Sequence, residues 1–177
     1  EDPNVIHVAG RVDPIADIEV IQTELCLADL GTVEKAVQRY SKQAKSGNDK
    51  EAAKMMTLLP KIQAALDQGQ PVRTLELTDE EQVLMKPLCL ITAKRAMFVG
   101  NVSEDGFENN PLLTRLQEYA ATQNAPVVAI CAKIEAELSE MDDADRLEFL
   151  KELGQDEPGL NRLIRAGFKL LGLQTYF

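Results

Sequence analysis

Apolar residues in the first third of the chain recur at three- and four-residue steps: Ile15, Ile18, Ile21, Leu25, Val33, Val37 and Tyr40. Asp17, Glu24, Glu34, Lys35 and Arg39 fill the other faces. A period near 3.6 predicts a long amphipathic helix over residues 14–44. It opens at Asp13-Pro14, where Asp can cap free amides and proline in the first helical position forfeits no hydrogen bond. Gly31 is a candidate kink. Ser46-Gly47-Asn48-Asp49 reads as a turn, with Asn48 capping a second helix that carries Ala52, Met55, Leu59, Ile62 and Leu66 and bends at Pro60. Two long helices around a short turn make an antiparallel hairpin. Its stripes either pack on each other or, with Met55 and Met56 exposed, form a partner groove. Gly69-Gln70-Pro71 ends the hairpin, and Thr78 with Glu81 forms a capping box ahead of a short helix through Val83, Leu84 and the Pro87 region.

The pattern then changes. Ala96, Met97, Phe98 and Val99 run apolar into Gly100 and empty into Asn101-Val102-Ser103-Glu104-Asp105, a buried strand followed by a polar loop. Asn109-Asn110-Pro111 begins a helix with Leu112, Leu113, Leu116 and Tyr119 on one face, and Val127-Val128-Ala129-Ile130-Cys131 suits a central parallel strand. A strand-helix-strand crossover is right-handed and sets both post-strand loops at one sheet edge, so Ala132-Lys133 should emerge beside Asn101 and Glu104. Ligands of open α/β sheets bind outside the carboxyl ends of strands, which makes these loops the first candidates for a site. Asp142-Asp143 caps a helix with Leu147, Phe149 and Leu150, closed by Gly154. A last helix from Pro158 carries Leu160, Leu163, Ile164, Phe168 and Leu171 and exits at Gly172. Asp142, Asp143 and Asp145 fit a solvated acidic helix start better than a metal site.

Composition narrows the classes. With 177 residues, 45% of them hydrophobic, the chain can build a real core as one domain or one plus a small insertion. No apolar run approaches the ~18 residues of a membrane helix, and no secretory signal is visible. Asn101-Val102-Ser103 matches a glycosylation sequon, an accidental match without secretion. Cys26, Cys89 and Cys131 stand apart in apolar surroundings, as reduced thiols do in a cytoplasm. The single histidine, His7, lies between Ile6 and Val8 and reads as a structural residue, so a zinc site is not expected. A net charge of −10 opposes broad contact with phosphate backbones and gives no case for specific DNA binding. Lys35, Arg39, Lys42, Lys45, Lys50, Lys54 and Lys61 gather toward the hairpin turn, either as a solvated face paired with Glu34, Asp49 and Glu51 or as an RNA-facing tip. Glu1-Asp2-Pro3 runs straight into Val5-Ile6-His7-Val8 with no initiator methionine, which suggests a fragment entered in its middle.

Asn101 and Glu104 stand as N-x-x-E, a variant of the N-K-x-D element with which P-loop GTPases hold guanine, although four residues alone also fit a solvated turn. The match widens with Val5-Ile6-His7-Val8, Val12-Asp13-Pro14-Ile15, Asn101-Val102-Ser103-Glu104-Asp105-Gly106-Phe107 and Pro158-Gly159-Leu160-Asn161-Arg162-Leu163-Ile164-Arg165-Ala166-Gly167. Together these resemble the YchF subfamily of Obg-type P-loop nucleotidases, over essentially the whole chain. The resemblance implies an α/β fold, the C-terminal half of a Ras-like nucleotide domain with an inserted helical coiled-coil hairpin. Residues 1–13 would belong to the nucleotide domain, 14–85 to the insertion, 86–172 to the nucleotide domain again, and 173–177 to the junction with a TGS domain.

It further implies a parent protein that hydrolyses ATP with Mg²⁺, binds GTP more weakly and associates with ribosomes. No G-x-x-x-x-G-K-[ST] loop occurs here. In the family the phosphate-holding and switch elements lie upstream, so this stretch alone should be inactive, with its catalytic residues and Mg²⁺ ligands elsewhere. The base-binding residues implied are Asn101, Val102, Glu104, Cys131 and Ala132, the last two matching an S-A-K element with Cys131 in the serine position. Guanine offers adjacent N1–H and N2–H₂ donors that an Asp accepts in bidentate fashion, and Glu104 carries one methylene too many for that fit. Asn101 can still pair with adenine N6 and N7, which favours ATP. Lys42, Lys45 and Lys50 are the candidate ribosome or RNA contacts. The alternative is a non-catalytic docking module built on the hairpin.

Overall fold

Helix α1 (Pro14–Lys45) and helix α2 (Lys50–Asp67) share one core, in which Cys26, Val33, Ala36 and Tyr40 meet Ala52, Met55, Leu59, Ile62 and Leu66. The computed structural model describes residues 10, 12–45 and 49–174, so the expected segment at Val5 to Val8, the turn residues Ser46 to Asn48 and the closing Thr175 to Phe177 lie outside it. The described chain forms two compact units, Ala16–Arg95 and a second made of residues up to Ile15 together with those from Ala96 onward.

In the helical unit, Gln22 near the start of α1 donates to the Gly69 carbonyl beyond the end of α2 at 3.3 Å, which makes the pair antiparallel. The expected stripe of α1 is shifted: Ile21 is exposed, and the buried register is Cys26, Asp29, Val33, Ala36 and Tyr40. α1 continues through Gly31 and α2 through Pro60. The lost propensity is about 1 kcal/mol for glycine and 3 kcal/mol for proline, and burial of Leu58, Leu59 and Ile62 around Pro60 opposes it. Met55 is 0% exposed, so the stripes pack on each other. The cap of α2 is Asp49 rather than Asn48: its Oδ1 accepts from the Glu51 and Ala52 amides, both at 3.0 Å.

The expected capping box opens α3 (Asp79–Met85), with the Glu81 amide on Thr78 Oγ1 at 3.2 Å and the Thr78 amide on Glu81 Oε2 at 2.8 Å. The Thr78 amide, with help from Lys61, holds the Glu81 carboxyl below its ordinary range. The compact helical unit extends through Arg95. Leu88 and Leu90 complete the helical core. Asp29, 2% exposed, accepts from the Ile91 amide at 2.8 Å and from the Thr92 amide and hydroxyl at 2.7 Å each. Three donors compensate the buried carboxylate and bind the returning strap to α1.

The second unit holds β1 (Phe98–Asn101) and β2 (Val127–Ile130), paired in parallel with Phe98 opposite Val127 and Asn101 opposite Ile130. Helix α4 (Pro111–Thr122) connects them, capped by Asn110. It lies so close beneath β1 that a Cβ on Gly100 would sit 3.3 Å from Leu113 Cδ1. Phe98 and Tyr119 meet edge to face at 5.9 Å. β1 is half-buried rather than buried, with Val99 exposed, because the sheet among the described residues has two strands. α5 (Ala132–Glu140), α6 (Asp143–Glu152) and α7 (Gly159–Leu171) follow. Cys131, Ile134, Leu138 and Leu150 form a second core. Asp142 caps α6 through the Ala144 and Asp145 amides, as expected for an acidic helix start. The three cysteines are free, but Cys89 is exposed rather than buried.

Candidate functional site

Four residues, from the end of β1 with its following loop and from the start of α5, converge where β1 and β2 end: Asn101 with Ala132 and Glu104 with Lys133. Strand pairing carries one residue past the ladder, since the Val102 amide donates to the Ile130 carbonyl at 2.8 Å. Val102 is buried, and the bond fixes the backbone direction in which Ser103 leaves the sheet. Asn101 Oδ1 then accepts the Ala132 amide at 3.0 Å. Ala132 is the first residue of α5, and the first amides of a helix have no partner within it. Cys131 occupies the cap position without a side-chain cap, so Asn101 serves from the neighbouring strand. A carboxamide oxygen has a second lone pair and its nitrogen two donors, which leaves Asn101 able to donate and accept toward a ligand.

The second link is ionic. Lys133 Nζ lies 2.6 Å from Glu104 Oε1, and this hydrogen bond and the charge of Glu104 raise the lysine above its ordinary pKa. Ser103 Oγ donates to Asp105 Oδ1 at 2.8 Å, which holds Asp105 below the usual carboxylate range and turns it into its own loop. Glu104 is therefore the loop carboxylate that faces α5. Gly106 closes the turn with its amide on the Ser103 carbonyl at 2.9 Å, and a Cβ there would meet Ser103 Oγ at 2.9 Å.

Of the residues singled out in the sequence, Asn101, Glu104 and Ala132 come together at this edge, while Val102 and Cys131 are buried beneath it. The Ala132 amide is taken by Asn101 and orients that side chain. Lys42 and Lys45 lie in the last turn of α1 and Lys50 begins α2, all in the helical unit. Lys54 pairs with Glu80, and Lys61 donates to the Glu76 carbonyl at 2.7 Å, which removes both from the basic cluster.

Glu135 escapes the sequence reading because that reading does not anticipate α5, and the long-range contacts of Gly159 and Arg162, which belong to the matched 158–167 stretch, carry no local pattern. Glu135 Oε1 and Oε2 accept the Gly159 and Leu160 amides at 2.6 and 3.1 Å, so a side chain of α5 caps α7. Gly159 has no room for a side chain there, as a Cβ would meet Glu135 Oε1 at 2.7 Å. Arg162 reaches back to the Ala129 carbonyl of β2 at 3.3 Å and to Gln155 Oε1 at 2.5 Å, with its guanidinium 5.8 Å from the centre of the Phe107 ring. The helical signal is present in Ile134, Leu138 and Met141, spaced four and three apart among Ala and Glu.

Among the described residues no group of three His, Cys, Asp or Glu side chains converges as a metal cage, and no helix is long and apolar enough to cross a membrane.

Comparison with known proteins supplies an independent line. The chain is 51% identical over 177 residues to a protein of Escherichia coli O157:H7 named ribosome-binding ATPase YchF, covering 100% of this chain and 48% of that one. The protein of the same name from Bacillus subtilis is 47% identical over 179 residues, covering 99% and 49%. A solved structure described as the Schizosaccharomyces pombe YchF GTPase matches with a TM-score of 0.82 at 26% identity, covering 97% of this chain and 47% of that chain. The chain thus spans about half the length of the curated relatives it matches. No protein-family model matches it.

Proposed function

We propose that this chain, a homologue of the ribosome-binding ATPase YchF over about half the length of those relatives, carries the base-reading edge of a nucleotide site that prefers ATP to GTP. The observation that carries the reading is the Asn101 carboxamide, held at the carboxyl end of β1 by the Ala132 amide at 3.0 Å with its donors left for a ligand. Adenine presents an acceptor at N7 and a donor at N6, and one oriented carboxamide satisfies both. Val102 and Cys131 would support this edge from beneath, and Glu104 would face the base's Watson–Crick edge.

On this reading the sheet unit is the C-terminal half of a Ras-like nucleotide domain, the helical unit is an insertion in it, and the residues from 173 onward lead toward a TGS domain. Phosphate binding, hydrolysis and Mg²⁺ then belong to the length that the relatives have outside the match. This chain's described carboxylates do not form a cage for Mg²⁺. The relatives' name supports ATP and the ribosome as ligands of the parent protein, while that of the fission-yeast structure points to GTP. Base selectivity is therefore the property to measure.

In the full-length polypeptide that carries this chain, titration calorimetry with ATP and GTP should give tighter binding of ATP. Asn101→Ala should weaken ATP by about tenfold or more, the worth of one or two good hydrogen bonds. Tighter binding of GTP, or an Asn101→Ala variant that binds ATP unchanged, contradicts the proposal.

A further inference from the structure

The base-reading function proposed above leaves one charged group of the site without a role. Lys133 is the second residue of α5, with its side chain 70% exposed, and among the described ion pairs its partner is Glu104, itself 51% exposed. The loop after β1 supplies one residue and the first turn of α5 the other, and they meet because β1 and β2 are parallel and in register at Asn101 and Ile130. We infer that Lys133 is a specificity-positioning residue, which holds the Glu104 carboxylate and so disfavours a guanine base at this edge.

The chemistry follows from donors and acceptors. A guanine base must hand two donors, N1–H and N2–H₂, to one carboxylate, and the pairing is strong only if both oxygens are turned side by side toward it. Here the ammonium 2.6 Å from Oε1 draws the carboxylate toward α5 instead. Guanine would bring two further donors to a carboxylate that serves a cation, beside a positive charge of the same sense. Adenine carries an acceptor at N1, makes no demand on the carboxylate and meets no donor conflict with the ammonium. The extra methylene of Glu over Asp acts in the same direction, because it gives the carboxylate the reach to meet Lys133. Ser103 contributes by holding Asp105 at 2.8 Å, which keeps that neighbouring carboxylate off the lysine. Glu137, one turn along α5, adds negative charge that raises the lysine further after Glu104.

An exposed pair is worth a fraction of the energy of a buried one, so the expected change is about two- to fivefold. The inference rests on the base-reading assignment, and the test separates the two. ATP and GTP affinities are measured by titration calorimetry on the full-length polypeptide carrying Lys133→Met, Lys133→Arg, Glu104→Gln and the Lys133→Met/Glu104→Gln pair. Lys133→Met should raise GTP affinity relative to ATP by that factor, Lys133→Arg should retain the parental ratio, and Lys133→Met should have no effect on the ratio in the Glu104→Gln background. An unmoved ratio in Lys133→Met, in a protein whose ATP affinity does fall with Asn101→Ala, overturns the role of Lys133 alone. A shift of equal size with and without Glu104 overturns it as well, since the lysine would then act directly on the nucleotide. If Asn101→Ala and Lys133→Met both leave nucleotide binding unchanged, the base-reading assignment fails and the inference falls with it.

Discussion

The side-chain oxygen of Asn101, at the end of one strand, accepts the backbone amide of Ala132, just beyond the end of the next, at 3.0 Å. One residue thus does two things: it satisfies a helix amide that has no partner within α5, and it fixes the rotation of its own carboxamide. The two can be separated. Asn101→Asp keeps an acceptor for Ala132 but loses the Nδ2 donors, so thermal stability should stay near parental while ATP binding weakens. Asn101→Ala should lose both, with a stability cost of about 1 kcal/mol. Equal stability of the two variants in a denaturation series would show that the Ala132 bond contributes nothing.

Glu135 ties α5 to the start of α7, with both carboxylate oxygens on backbone amides. Glu135→Ala should destabilise the unit by about 1.5–3 kcal/mol, and Gly159→Ala should displace the same carboxylate. The double variant should cost clearly less than the sum of the singles in urea denaturation, because both act on one contact. Strict additivity would mean that the two residues are energetically independent.

In the helical unit the corresponding test is Asp29. Asp29→Ala leaves the Ile91 and Thr92 amides and the Thr92 hydroxyl without their acceptor, and Thr92 also receives the Val72 amide at 3.2 Å. A loss of about 3–5 kcal/mol is expected. Amide hydrogen exchange at Ile91 and Thr92 should accelerate before that of the α2 core, and unchanged protection there would argue against the latch.

Much of this is legible in the sequence, and the reasons for the misses are physical. Period 3.6 locates α1, α2 and α4, and turn and cap chemistry marks Thr78, Asn110, Pro158 and Gly172. Parallel pairing of the two strands follows from the crossover rule, and with it the meeting of Asn101 with Ala132. The register of α1 is misjudged because apolar residues outnumber the positions that face α2, and Asp29 is overlooked because a carboxylate in the buried stripe is explained only by donors sixty-odd residues away. The Gly159 requirement depends on Glu135, which lies in a helix that the sequence reading leaves out. Long-range polar contacts of this kind carry no local pattern.

The basic end of the helical unit makes a separate prediction about partners. With Lys54 and Lys61 engaged by residues of and around α3, the charges proposed for an RNA or ribosome contact are Lys42, Lys45 and Lys50. Replacing these three by glutamate in the full-length polypeptide should leave ATP hydrolysis intact and reduce ribosome co-sedimentation at low salt, since such an attraction is salt-dependent. Co-sedimentation unchanged across a salt series would move the contact to another surface.

The central claim is that the edge formed by Asn101 and Glu104 reads the purine, and Glu104→Asp tests it most directly. The shorter carboxylate should withdraw from Lys133 and recover the geometry for guanine N1–H and N2–H₂. A charged hydrogen bond is worth roughly 1.5–3 kcal/mol, so GTP affinity relative to ATP should rise by about tenfold or more. Titration calorimetry of the full-length polypeptide with both nucleotides reads this ratio. A tenfold shift toward GTP is the predicted result, and an ATP to GTP ratio identical in the variant and its parent would contradict the account.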